Sequence, residues 1–126
     1  MKSHLPPIVI SAADHERLAA IAEPAARRDL EAAEALLAEL DRADVVADDA
    51  VPADVVRMGS KVTFRADGGA AQTVTLVYPQ EADIDAMRIS VLTPVGAALV
   101  GMKRGETINW TDPLGRPRSL QVEMVA

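Results

Sequence analysis

The sequence predicts an α+β protein: a short antiparallel helical hairpin (a coiled coil), then a curled, mostly antiparallel sheet around one short helix. Three observations lead there. Apolar residues recur at spacings of three and four between residues 11 and 44. Period-two alternation starts at Lys61 and returns in later short runs separated by turn residues. Between these regions, "VADDAVPADVVRMGS" breaks the pattern with two aspartates, Pro52 and Gly59. The chain of 126 residues therefore divides into a hairpin at 1–46, a linker at 47–52 and a sheet domain at 53–126.

The first helix starts at Ser11, with Asp14 three positions on, a suitable N-cap pairing. Leu18, Ile21 and Ala22 share a face. Pro24 removes a backbone donor, so this helix is expected to end near Ala22. The second opens near Asp29, a plausible N-cap, although Ala25 or Ala26 could start it earlier. It carries Leu30, Ala33, Leu37 and Leu40 as a narrow seam. Glu31, Glu34 and Glu39 are expected on solvated faces. Helices of about 14 residues reach only ~20 Å and are marginal alone, so the hairpin is expected to lean on the rest of the protein or on a partner.

In the sheet domain, "KVTFR" alternates Val62 and Phe64 with polar residues, and Asp67-Gly68-Gly69 is a hairpin turn. "QTVTLVY" puts Val74, Leu76 and Tyr78 on one face, and "RISVL", "TINW" and "SLQVEMV" complete five strands, the last with Leu120, Val122 and Met124 together. "DPLGRP" is a turn with Pro113 and Gly115 in turn positions. Thr93 caps a short helix whose first residue is Pro94, and Gly101 suits the left-handed position after it.

Composition narrows the function. The net charge is -6, whereas a generic nucleic-acid binder needs a basic surface. An acidic chain can still act beside nucleic acid by docking on a basic protein partner. No direct sequence-specific nucleic-acid binding is expected. Cysteine is absent, which excludes disulfides and thiolate metal sites. With no signal-like apolar run and no stretch near the ~18 apolar residues of a membrane span, a soluble, cytoplasmic protein is expected.

Catalytic constellations are missing. His4 and His15 are the only histidines and form no HxxxH or HxH pair. No serine has a convincing histidine partner set, and neither GxGxxG nor GxxxxGK[ST] occurs. "GMKRGE" opens a strand, so Lys103 has no helix N-terminus behind it. The sequence predicts no catalytic residue, no metal site and no cofactor. A curled sheet around a helix is also how FKBP-type prolyl isomerases are built. Their aromatic-lined pockets contrast with this chain, whose aromatic residues are Phe64, Tyr78 and Trp110.

One block carries a family resemblance. "LVYPQEAD" followed by "RISVLTPVGAALVGMKRGETINW" resembles the C-terminal domain of the Gre transcript-cleavage factors. There an "EAD" element precedes "ISxxSPxGxALxGxxxGD". Glu81-Ala82-Asp83, Ile89-Ser90, Thr93-Pro94, Gly96, Ala98-Leu99, Gly101 and Gly105-Glu106 fall on that pattern. Thr93 replaces a serine and Glu106 an aspartate. "PPIVIS", "AAEALLAELDRADVV" and "LVYP" further resemble the Rnk branch of these proteins, named for regulation of nucleoside diphosphate kinase. The resemblance implies an FKBP-like C-terminal domain and binding to RNA polymerase at the secondary-channel mouth, on the β′-subunit coiled coil. By matching positions it implies a docking surface at Leu92, Thr93 and Pro94, with Val95 as neighbour.

The chain departs from the Gre pattern at the hairpin tip. Gre factors carry there an Asp and a Glu, three apart, that help hold the polymerase's catalytic magnesium. Here the tip is "AEPAARRDLE", with Glu23 and Asp29 as candidate contacts, Arg27 and Arg28 among them, and no D-x-x-E pair. The hairpin is also shorter than in Gre factors. The expectation is a polymerase-binding regulator that competes with Gre factors without stimulating cleavage. The alternatives are a true cleavage factor and an FKBP-like isomerase or chaperone.

Overall fold

The computed structural model describes residues 8–28, 31–111 and 114–126, except for the side chains of residues 31, 32, 110 and 111. In chain order its elements are β1 (Val9–Ser11), α1 (Ala12–Ala26), α2 (Glu31–Arg42), β2 (Asp44–Val46), β3 (Lys61–Ala66), β4 (Ala71–Val77), β5 (Arg88–Ser90), α3 (Pro94–Leu99), β6 (Thr107–Thr111) and β7 (Pro117–Val125). Single 3-10 turns lie at Asp48–Ala50, Pro79–Glu81 and Ile84–Ala86.

The mixed α+β class is as expected. The start of α1 lies against the end of α2, where the His15 ring nitrogen Nε2 is 3.0 Å from the Leu40 carbonyl oxygen, so the two helices run antiparallel. Ser11 caps α1, its hydroxyl accepting the Asp14 N–H at 3.1 Å. The helix does not stop at Ala22. It runs to Ala26 with Pro24 inside it. Proline removes one hydrogen bond and crowds the carbonyl four residues back. Near the C-terminal end that loss is tolerated, because buried Ala22 and Ala25 hold the turn inward and the Arg27 N–H reaches the Glu23 carbonyl at 3.3 Å.

In α2 the buried residues include Ala33, Leu36 and Leu40, with Leu37 only half-buried. Leu36 therefore takes the central place expected of Leu37. Glu39, expected in solvent, is buried and paired with Arg42 one turn on. A buried carboxylate needs such a partner. Glu34 is exposed as expected, and Leu30 and Asp29 lie outside the described residues.

The hairpin is closed at its base by a feature the sequence pattern did not reveal. β1 and β2 pair in parallel, with Val9 opposite Asp44 and Ser11 opposite Val46. Strands of three residues are too short for alternation to show.

The main sheet has the order β5-β4-β3-β7-β6. β5 runs parallel to β4, and the other neighbours are antiparallel. The β3–β4 turn has Asp67 and Gly68 at φ 53° and 75°, and the Gly69 N–H closes it on the Ala66 carbonyl at 2.9 Å. Leu120 and Val122 are buried, but Met124 is 57% exposed. The cause is a β-bulge: Thr63 pairs with Met124, yet Phe64 pairs with Val122. The extra residue, Glu123, reverses the parity of the strand end.

One continuous apolar core joins both halves. Ile8, Ile10, Leu18, Leu36 and Leu40 belong to the same cluster as Leu76, Leu99, Met102 and Val122. α3 packs on α2. At the seam, the Gly101 N–H donates to the Val56 carbonyl at 2.9 Å, and its own carbonyl accepts the Val9 N–H at 3.2 Å. A Cβ there would lie 2.9 Å from the Ile8 Cβ, and φ is +80°, so both space and backbone call for glycine.

Candidate functional site

The corner from β5 into α3 is built by short-range polar contacts. β5 lies beside β4 with Leu76 opposite Ile89 and Val77 opposite Ser90. Past its end, the Val91 N–H still reaches the Val77 carbonyl at 2.9 Å. The Ser90 hydroxyl then accepts the Leu92 N–H at 3.0 Å. The Thr93 hydroxyl has two roles: it donates to the Ser90 carbonyl at 2.7 Å and accepts the Gly96 N–H at 3.1 Å. Pro94 occupies the first helical position, where its missing N–H costs nothing. Gly96 lets the helix start touch the strand end, since a Cβ there would fall 2.2 Å from the Ser90 carbonyl oxygen. The corner is thus fixed by two hydroxyls, one proline and one obligatory glycine.

Leu92, Thr93, Pro94 and Val95 are all half-buried. Leu92 and Val95 pack partly against the core. Thr93, Pro94 and Val95 line a groove of about 630 Å³, and Leu92 is not among its lining residues. Phe64, Val74 and Ile89 also form its walls. Ile84, 81% exposed, and Leu114, 76% exposed, also line it. The loop carrying Ile84 is held by paired backbone bonds, Asp83 N–H to Arg88 carbonyl at 2.9 Å and the reverse at 2.8 Å. Gln72, Ala82 and Ser90 line it too, together with Arg88, Arg116 and Arg118.

Sequence reasoning located the corner but not the groove. The alternation places Phe64 and Val74 each on one face of its strand, and both are buried. Ile84 and Leu114 carried a usable signal, being large apolar residues in turns. The arginines gave none, because their convergence depends on how β5, β7 and the loop before β7 meet.

The hairpin tip is a separate place. Glu23 is exposed and its backbone carbonyl accepts the Arg27 N–H. Asp29, the other tip residue singled out, lies outside the described residues. Among the described residues no three His, Cys, Asp or Glu side chains group as a metal site, and no helix is long and apolar enough to cross a membrane.

A second hollow, about 480 Å³, lies between α1 and the sheet, lined by Asp14, Arg17, Tyr78, Glu81 and Arg88 among others. The Arg17 guanidinium sits 4.4 Å from the Tyr78 ring centroid. The Tyr78 hydroxyl is buried without a protein hydrogen-bond partner among the described residues. Burial pushes its pKa above the usual phenol value, with Asp14 and Glu81 adding to the rise and Arg17 opposing it.

Comparison with known proteins decides the relationship. Residues 51–126 match the family model described as "Transcription elongation factor, GreA/GreB, C-term". The chain belongs to the GreA/GreB family. Residues 6–46 match the "Rnk N-terminus" model. The chain is 42% identical over 118 residues to the "Regulator of nucleoside diphosphate kinase" of Escherichia coli K12, covering 93% of this chain and 87% of that protein. It is 36% identical to the "Transcription elongation factor GreA" of Rhodospirillum rubrum, over 93% of this chain and 78% of the relative. A solved structure, "Prokaryotic transcription elongation factor GreA/GreB from Nitrosomonas europaea", superposes with a TM-score of 0.74 at 38% identity, covering 94% and 98% of the two chains. These GreA/GreB relatives are named for transcription elongation or regulation, and the family's C-terminal pattern falls on the Thr93-Pro94 corner described above.

Proposed function

We propose that this chain is an RNA polymerase-binding transcription regulator of the Rnk type. It docks at the secondary-channel mouth, on the β′-subunit coiled coil, through Leu92–Val95. There it competes with Gre factors and does not stimulate transcript cleavage. The observation that carries the reading is the rigid, half-exposed Thr93-Pro94 corner beside an apolar groove, within a segment matched to the GreA/GreB C-terminal family. Such pre-organisation lowers the cost of association. An FKBP-like arrangement of the sheet around α3 and a coiled-coil hairpin belong to the same proposal, as does the division at residues 47–52.

The absence of cleavage activity follows from reach and charge. Helices of 15 and 12 residues extend only ~20 Å. Glu23 has Arg27 and Arg28 in the following turn, which weaken the negative field that attracts a hard cation.

Immobilised chain should retain core RNA polymerase at physiological salt, and lack of retention would sink the docking reading. The double variant Thr93→Ala, Pro94→Ala should lose most of that retention while keeping its circular dichroism. Stalled elongation complexes should show no stimulated RNA cleavage, and less cleavage by an added Gre factor. Clear stimulation would favour the cleavage-factor reading. The link to nucleoside diphosphate kinase, carried by the name of the E. coli relative, is taken to run through gene expression. A change in kinase activity on mixing the purified proteins would instead mean direct contact.

A further inference from the structure

The polar hollow between α1 and the sheet holds a buried group that the docking corner does not use. Tyr78 lines this hollow just past the end of β4 and is 7% exposed. Its hydroxyl has no hydrogen-bond partner among the described residues, and a buried hydroxyl left unbonded costs stability. Asp14 and Glu81 lie close enough to that hydroxyl to raise its pKa.

The charged groups around Tyr78 are lightly engaged. Glu81 and Arg88 are exposed, and neither side chain makes an ion pair or hydrogen bond among the described residues. Asp14 reaches the Arg57 guanidinium only at 4.0 Å. Arg17 lies 4.4 Å from the Tyr78 ring centroid and is exposed, where such a contact is weak. Its side chain can therefore leave the ring at small cost.

The balance of charge narrows the ligand. Among the described residues the lining pairs two guanidiniums, Arg17 and Arg88, with two carboxylates, Asp14 and Glu81. A polyanion such as phosphate would be repelled by the carboxylates. A bare cation would be repelled by the arginines, and no three acids among the described residues group as a metal site. A molecule with one cationic and one anionic end satisfies both pairs through charge-assisted bonds. Met58 and Val77 add apolar wall. A volume of about 480 Å³ falls within the range of small-molecule sites.

We propose that this hollow binds a small zwitterion of the α-amino acid class. Its ammonium lies between Asp14 and Glu81 and donates to the Tyr78 hydroxyl. Its carboxylate meets Arg88 and Arg17, which swings off the ring as the ligand enters. Met58 and Val77 cover the ligand's side chain. The site is distinct from the Thr93-Pro94 corner, and the inference does not depend on polymerase docking.

The test uses the full chain and L-leucine, with isocaproate and isoamylamine as analogues that each lack one charged end. Tyr78 is the only tyrosine of the chain, so an isotope-labelled tyrosine ring reports the site by NMR, with the methyls of Met58, Thr75 and Val77 beside it. Leucine should shift these signals saturably. Each analogue should bind about tenfold more weakly or worse, the scale of a lost charge-assisted bond. Tyr78→Phe, which removes only an unpartnered hydroxyl and is followed by the methyls, should weaken leucine about three- to tenfold. Glu81→Gln, at an exposed side chain, should weaken leucine about two- to fivefold. Neither variant should weaken isocaproate. No saturable shift with leucine, binding of either analogue as tight as that of leucine, or a leucine affinity unchanged by Tyr78→Phe would overturn the site.

Discussion

Thr93 shows how one side chain can fix a turn from strand into helix. Its hydroxyl both donates to the Ser90 carbonyl and accepts the Gly96 N–H. Serine, which the Gre pattern places at this position, can make both bonds. Thr93→Ser should therefore stay within about 0.5 kcal/mol of the parent in urea denaturation, whereas Thr93→Val should cost about 1–2 kcal/mol through loss of the cap. Gly96→Ala should be worse, at about 2 kcal/mol or more, because the new Cβ would meet the Ser90 carbonyl oxygen at 2.2 Å. Tyr78 gives the opposite kind of forecast. Its buried hydroxyl has no protein partner among the described residues, so Tyr78→Phe should be neutral or slightly stabilising at neutral pH. Its folded pKa is raised. The unfolded chain therefore releases the phenol proton first as pH rises, and stability present below about pH 10 falls above it. Alkaline denaturation should show this decline, and Tyr78→Phe should reduce it. The Thr93 cap was legible because capping is local, with the decisive residues within three positions. The need for Gly96 was not, because the clashing carbonyl approaches only once the chain has turned the corner.

At the level of elements, α1 and β7 show what periodicity gives and where it stops. Both were expected from the spacing of apolar residues, and both form. Their ends were misjudged for definite reasons. Pro24 was read as a stop, yet in the last turn the lost hydrogen bond is outweighed by buried Ala22 and Ala25. Replacing it should reveal the residual cost: Pro24→Ala should raise stability by about 1 kcal/mol, the restored helix bond exceeding the entropy proline removes from the unfolded chain. A lower melting temperature would show that the proline shapes the turn. In β7, strict alternation assigned Met124 to the core, and the bulge at Glu123 turned it outward. A bulge depends on the partner strand, so nothing within β7 announces it. In α2, the seam through Leu37 was nearly right, but Leu36 is the fully buried residue. The face is set by where α3 lands.

Across the whole molecule, the shared core makes the hairpin part of the folding unit. Leu36 is fully buried within the same cluster as Leu99 and Val122. Leu36→Ala should therefore cost about 2–5 kcal/mol. The loss should register equally by helical circular dichroism and by sheet-domain probes, in one transition. Two separated transitions would show that the hairpin and sheet unfold independently. Net charge is also a quantity of this scale, and it misleads if applied to every part. The value of -6 argues against a generic basic surface, yet among the described residues the charged side chains lining the groove are arginines. Composition averages over the surface, whereas a site is a local selection from it.

The parallel pairing of β1 with β2 has a consequence for how such proteins diversify. Val9 opposite Asp44 and Ser11 opposite Val46 hold the two feet of the hairpin at a fixed separation, independent of what lies between them. The arms can then lengthen toward the tip while Leu18, Leu36 and Leu40 keep the base of the hairpin in the shared core. Equal numbers of residues can be inserted into both arms without disturbing the anchorage or the groove. Arm length becomes adjustable separately from anchorage, so one sheet can carry hairpins of different reach.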